Sequence, residues 1–116
     1  MSETKTIAME SVTLEGLPAT AALEISIVEC LPEKSGRYHE LRSKMMPLMQ
    51  KQPGFIAWRA FESSSREGVM LDVLYWEKAE YCQKAMESLH SEEIAQEFFQ
   101  LISKTVVFDM FRRQKL

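Results

Sequence analysis

The stretch Val69 to Trp76 reads VMLDVLYW, a strand with apolar residues in both of its phases. Val69, Leu71, Val73 and Tyr75 point one way, and Met70, Leu74 and Trp76 point the other, with Asp72 alone among them. A second segment behaves alike: in Thr105 to Arg112 (TVVFDMFR), Val107 and Phe111 oppose Val106, Phe108 and Met110. A sheet with one wet face alternates cleanly between apolar and polar residues. These strands therefore predict a sheet with both faces covered. The chain has 116 residues, about one domain's worth, so its own helices suffice for only one face. The other face would expose more than the few hundred Å² of apolar surface that a monomer tolerates. A second copy on a two-fold axis is the simplest cover, which predicts a homodimer through the open face of the sheet.

The rest of the chain supplies the helices. Leu23, Ile25 and Ile27 alternate with Glu24, Ser26 and Val28, a strand that Pro32 ends. Ser35 is an N-cap candidate. Tyr38, Leu41, Met45 and Leu48 then recur at helical spacing with His39, Glu40, Arg42 and Lys44 between them. Pro47 should kink or shorten that helix, and Gln52-Pro53-Gly54 should stop it. Phe55 to Phe61 reads as a strand and Glu62 to Gly68 as a polar hairpin loop before Val69. Glu77 to Leu89 is helical, with Tyr81, Ala85 and Leu89 on one face. Ser91 to Lys104 reads as a further helical stretch carrying Ile94, Phe98, Leu101 and Ile102. The order is β-α-β-β-α-β. With right-handed crossovers this predicts a ferredoxin-like α+β fold: a four-stranded antiparallel sheet with helices on one face, closed by a partner into a dimeric α+β barrel. Residues 1–20 read as a poorly defined N-terminal arm and 21–116 as the single domain.

Composition excludes several classes. The net charge is −3 with no basic block, which argues against nucleic acid as a partner. No stretch approaches the ~18 apolar residues of a membrane span. The first ten residues lack the pattern of a signal peptide, so a cytoplasmic protein is expected. Cys30 and Cys82 are too few for a disulfide framework or a four-ligand zinc site. No GxGxxG, P-loop or GxSxG motif is present. His39 sits among polar residues and reads as solvated. With His90 it lacks metal-ligand spacing, so no metal is expected.

Asp72 is the residue most out of place. If the hairpin centres near Ser65, Trp58 faces it, and a slip of one places Arg59 there instead. Arg59 with Asp72 would be a structural ion pair; Asp72 under an indole would be a candidate general base. Trp58 and Trp76 are core or the walls of a flat aromatic site. Tyr75 and Tyr81 are core or orient a substrate through their hydroxyls. His90, at a joint between two helical stretches, is a surface cap or a proton shuttle.

Pro53-Gly54-Phe55 before a strand and Trp76-Glu77 before a helix, within Pro53 to His90, resemble the antibiotic biosynthesis monooxygenase family. The helix after Trp-Glu often carries two histidines in that family. Here Ala85 stands at the first position, and His90, in Ser88-Leu89-His90, matches the second with Leu in place of Pro. The chain contains no Asn, on which haem-degrading and anthrone-oxidising relatives rely. The resemblance implies cofactor-free oxygenation of an electron-rich aromatic, a quinol or an anthrone. It implies Trp58 and Trp76 as walls, His90 or Asp72 as the base, and Tyr75 or Tyr81 holding the oxygen. A non-catalytic binder of a small apolar metabolite, or a module whose role is the dimer itself, stay open as alternatives.

Overall fold

The computed structural model describes residues 16–114. In chain order these form β1 (Ala22–Cys30), a 3-10 turn at Pro32–Lys34, α1 (Ser35–Gln50), β2 (Phe55–Glu62), β3 (Val69–Trp76), α2 (Ala79–Leu89), α3 (Glu93–Gln100) and β4 (Ile102–Arg112). The strands make one antiparallel sheet in the order β2-β3-β1-β4, the ferredoxin-like α+β arrangement. The expected arm falls outside the described residues as far as position 15. From there the chain is tied down: the Arg113 guanidinium donates to the Leu17 carbonyl at 2.7 Å, and the Thr20 hydroxyl donates to the Glu77 carbonyl at 2.9 Å.

The covered face takes Val28 and Cys30 of β1, Met70, Leu74 and Trp76 of β3 and Trp58 of β2. They pack with Tyr38, Leu41 and Met45 of α1, Cys82, Ala85 and Leu89 of α2, and Ala95 and Phe98 of α3. In β1 the phase turned to the helices is that of Glu24 and Ser26, through the register Ser26 to Asp72. The more apolar phase, Leu23, Ile25 and Ile27, lies on the other face beside Leu71, Val73 and Tyr75, where no described helix covers it.

α1 ends three residues past Pro47, whose side chain is exposed. Two local expectations are corrected. Ser35 begins α1 without capping it; the N-cap position is Lys34, with no side-chain hydrogen bond. The last helix ends at Gln100, and Ile102, read as helical, begins β4 and pairs with Cys30. The β-branched run that follows favours the strand.

The two motifs of the family resemblance meet here. Gly54, with φ of +78°, accepts at its carbonyl the Glu77 N–H at 2.8 Å, and the Tyr81 ring lies where a Cβ on Gly54 would stand. The Pro-Gly turn and the Trp-Glu junction are thus halves of one contact. Gly54→Ala strains the backbone and displaces Tyr81, and we expect it to cost about 1–3 kcal/mol in a urea melt. A loss within error of zero would mean that the turn relaxes freely.

Candidate functional site

Between sheet and helices lies a cavity of about 280 Å³, near the low end of the ~300–1,000 Å³ usual for small-molecule sites. Its sheet side is Glu24, Ser26 and Val28 of β1, Trp58 of β2, Asp72 and Leu74 of β3, and Thr105 and Phe108 of β4. Tyr38, Met45 and Met49 of α1, Met86 and Leu89 of α2, and Phe98 of α3 close the other side. His90, Phe99 and Phe108 line it and are themselves exposed, which marks the mouth.

Asp72 is buried and accepts three hydrogen bonds. Trp58 Nε1–H donates to Oδ1 at 2.8 Å and the Tyr38 hydroxyl to Oδ2 at 2.9 Å. Arg42, also buried, donates from Nη2 to Oδ2 at 3.2 Å, and its Nε stands 2.8 Å from Oδ1, too poorly aligned to count as a hydrogen bond. Burial and the Asp72 charge push the Tyr38 phenol well above its ordinary range, so it remains a donor. Outward, Arg42 Nη1 meets His39 Nδ1 at 2.9 Å, and His39 Nε2 meets Glu62 Oε1 at 3.3 Å. A guanidinium can only donate, so Nδ1 accepts and the ring proton sits on Nε2. His39 is therefore half-exposed at the outer end of a polar chain rather than simply solvated.

The hairpin register differs from expectation by two residues. Ser63 pairs with Val69, so Ala60 faces Asp72 and Trp58 faces Leu74. Trp58 still reaches Asp72, as a diagonal neighbour on the same face. Arg59 is on the opposite face, with its guanidinium 5.6 Å from the centre of the Tyr75 ring. The cation paired with Asp72 is Arg42, which the helical pattern had placed among the polar residues of α1.

Glu24 is the second buried carboxylate. Its Oε1 accepts the Trp76 Nε1–H at 3.0 Å and the Cys82 thiol at 3.2 Å. Among the described residues Oε2 has no hydrogen-bond partner. Burial raises its pKa, those two hydrogen bonds oppose the rise, and the Asp72 charge adds to it. A pKa raised on folding means that Glu24 favours the fold fully below the ordinary carboxylate range, and that this contribution is lost as pH rises through the raised value. At neutral pH an ionised Glu24 thus works against stability. The Cys82 thiol is pushed well up by burial and by Glu24, which keeps it a donor and a poor nucleophile.

Of the residues singled out in the sequence, Trp58, Asp72 and His90 share the cavity. Trp76 is fully buried and reaches it only through Glu24. Tyr75 faces the other side of the sheet, and Tyr81 packs on Gly54. Sequence reasoning missed Glu24, Tyr38 and Arg42. A signal was present for Glu24, since β1 and β3 each carry one acidic residue in the phase that holds their buried ends. Among the described residues no group of three His, Cys, Asp or Glu side chains is placed to hold a metal ion, and no helix is long and apolar enough to cross a membrane.

No family model and no curated protein matches the sequence. Solved structures do match it. A conserved protein from Methanosarcina mazei Go1 superposes with a TM-score of 0.73 at 16% identity, over 83% of this chain and 95% of that one. SnoaB, a cofactor-independent oxygenase from Streptomyces nogalater, gives 0.70 at 11% identity, over 84% and 97%. A protein from Nitrosomonas europaea, provisionally described as an antibiotic biosynthesis monooxygenase, gives 0.71 at 8% identity, over 84% and 93%. At these identities the likeness is one of fold. The chain adopts the ferredoxin-like α+β fold of structures assigned to the antibiotic biosynthesis monooxygenases, and the resemblance read in its turns extends to the whole architecture.

Proposed function

We propose that the protein is a cofactor-independent monooxygenase of a flat, electron-rich aromatic, a quinol or an anthrone-like ring, acting in the cavity between sheet and helices. The observation that carries this reading is the cavity itself: apolar walls of Trp58, Phe98 and methionines, with ionisable groups at its floor and mouth. The shared fold with an oxygenase that needs no cofactor supports it. For an anthrone-like methylene the reaction balances with oxygen alone: R₂CH₂ + O₂ → R₂C=O + H₂O. A base removes one proton, and the resulting anion passes an electron to O₂. The radical pair recombines to a peroxide, and the O–O bond breaks as the second hydrogen leaves with water. The protein's task is to exclude water and to hold the proton and the developing oxyanion.

In this reading Trp58 forms a wall and His90 exchanges protons at the mouth. Asp72, which accepts three hydrogen bonds and pairs with Arg42, positions Trp58 and Tyr38. Trp76 holds Glu24. Tyr75 and Tyr81 serve packing. The uncovered sheet face supports a homodimer, in which Ile25, Ile27, Leu71 and Val73 of two copies exclude water between them.

The test is oxygen uptake with anthrones and quinols in the presence of a chelator, against a protein-free control. We expect saturable uptake without added flavin or metal, reduced at least ~10-fold in His90→Ala. Uptake equal to the control for every compound would overturn the proposal.

A further inference from the structure

We propose that Glu24 is the anchoring and proton-accepting group of this cavity, so that it takes a neutral aromatic with an acidic phenol or enol hydroxyl directed to the floor and rejects ring-borne anions. This rests on the oxygenase reading and deepens it.

Glu24 is only 6% exposed, yet it lines the cavity. Trp76 and Cys82 turn Oε1 toward themselves, leaving Oε2 for the cavity. Oε2 is not among the fully buried atoms that lack a partner, so it keeps accessible surface, and a ligand hydroxyl in the cavity can donate to it. The other acceptors are less suited. Asp72 already accepts from Arg42, Tyr38 and Trp58 and is paired with a cation, and His90 stands exposed at the mouth. No Lys or Arg lines the cavity, and Arg42 neutralises Asp72 rather than Glu24. A carboxylate on the ligand would meet Glu24 in a poorly solvated site with no counter-charge. In the proposed step the ligand O–H bond breaks, an O–H bond forms at Glu24 Oε2, and the electron pair stays on the ligand oxygen. The step needs no oxidant or reductant.

The experiment is calorimetric titration with 2-naphthol and 2-naphthoate, matched in shape and different in charge. The native protein should bind the naphthol at least about tenfold more tightly. Glu24→Gln keeps an acceptor for Trp76 and Cys82; it should weaken the naphthol about tenfold and narrow the discrimination. The ionisable groups facing Glu24 are Asp72 on β3, Cys82 on α2, Tyr38 on α1 and His90 at the mouth. An ionised Glu24 is the better acceptor and burial raises its pKa, so naphthol affinity should rise as pH climbs from the ordinary carboxylate range through the raised one. That rise should persist in His90→Ala and vanish in Glu24→Gln.

Equal affinity for the two ligands, no binding of either, an unchanged Glu24→Gln, or a rise lost only in His90→Ala would each overturn the proposal. The comparison of ligands and the pH series in the native protein need no variant. Glu24-dependent naphthol binding without oxygen uptake from any substrate would sustain this proposal while the oxygenase reading fell.

Discussion

Asp72→Ala should lose about 3–5 kcal/mol in urea unfolding, the largest stability effect expected of a single change in this chain. The substitution strands a buried guanidinium at Arg42 and removes the acceptor of both Trp58 Nε1–H and the Tyr38 hydroxyl. Each orphaned donor carries its own desolvation cost. A domain of this size holds about 5–15 kcal/mol, so the variant should be marginal. The loss belongs to the unpaired charge more than to the pair. Adding Arg42→Met to Asp72→Ala should therefore recover a substantial part of it, and a double-mutant cycle should show strong coupling. Asp72→Asn keeps an acceptor for the indole and should fall between native and Asp72→Ala. A loss below about 1 kcal/mol for Asp72→Ala would show that Arg42 finds solvent easily and that this network does not hold α1 to the sheet.

Val73→Glu should convert a dimer into a folded monomer, measured by light scattering after gel filtration. Val73 sits mid-sheet on the uncovered face, paired with Ile25 on one side and Arg59 on the other. In a free protomer the new carboxylate is partly exposed and has Arg59 as a cross-strand neighbour, so the fold tolerates it. In a two-fold dimer both copies bring a carboxylate into an apolar interface, and dissociation should strengthen at least ~1,000-fold. The circular dichroism spectrum should be unchanged. A native protein that elutes as a monomer would rule out the dimer, and an unchanged mass for Val73→Glu would place the interface elsewhere.

Much of the architecture is written in local pattern. Period two in Leu23 to Val28 and Val69 to Trp76, helical spacing in Tyr38 to Met45, and the Pro53-Gly54 turn each concern residues near in sequence, and each produced the element expected. Where pattern was balanced, the boundary moved. Leu101 and Ile102 suit the face of a helix as well as the start of a strand, and pairing with β1 drew Ile102 into β4.

The candidate site was legible only in part. Asp72 stood out because a carboxylate in an apolar strand demands an explanation, and Trp58 and His90 because of residue type and position. Glu24 and Arg42 did not stand out, because a Glu in an alternating strand and an Arg on an amphipathic helix are ordinary as surface residues. Elements, their order and the surplus of apolar strand faces followed from the sequence by itself, since periodicity is a property of neighbours along the chain. Tertiary structure alone decided that the less apolar phase of β1 turns toward the helices. It alone brought Arg42 to Asp72 across 30 residues and Cys82 to Glu24 across 58. Those pairings depend on how helices dock on the sheet, and a buried charge is satisfied by whatever donor the docking delivers.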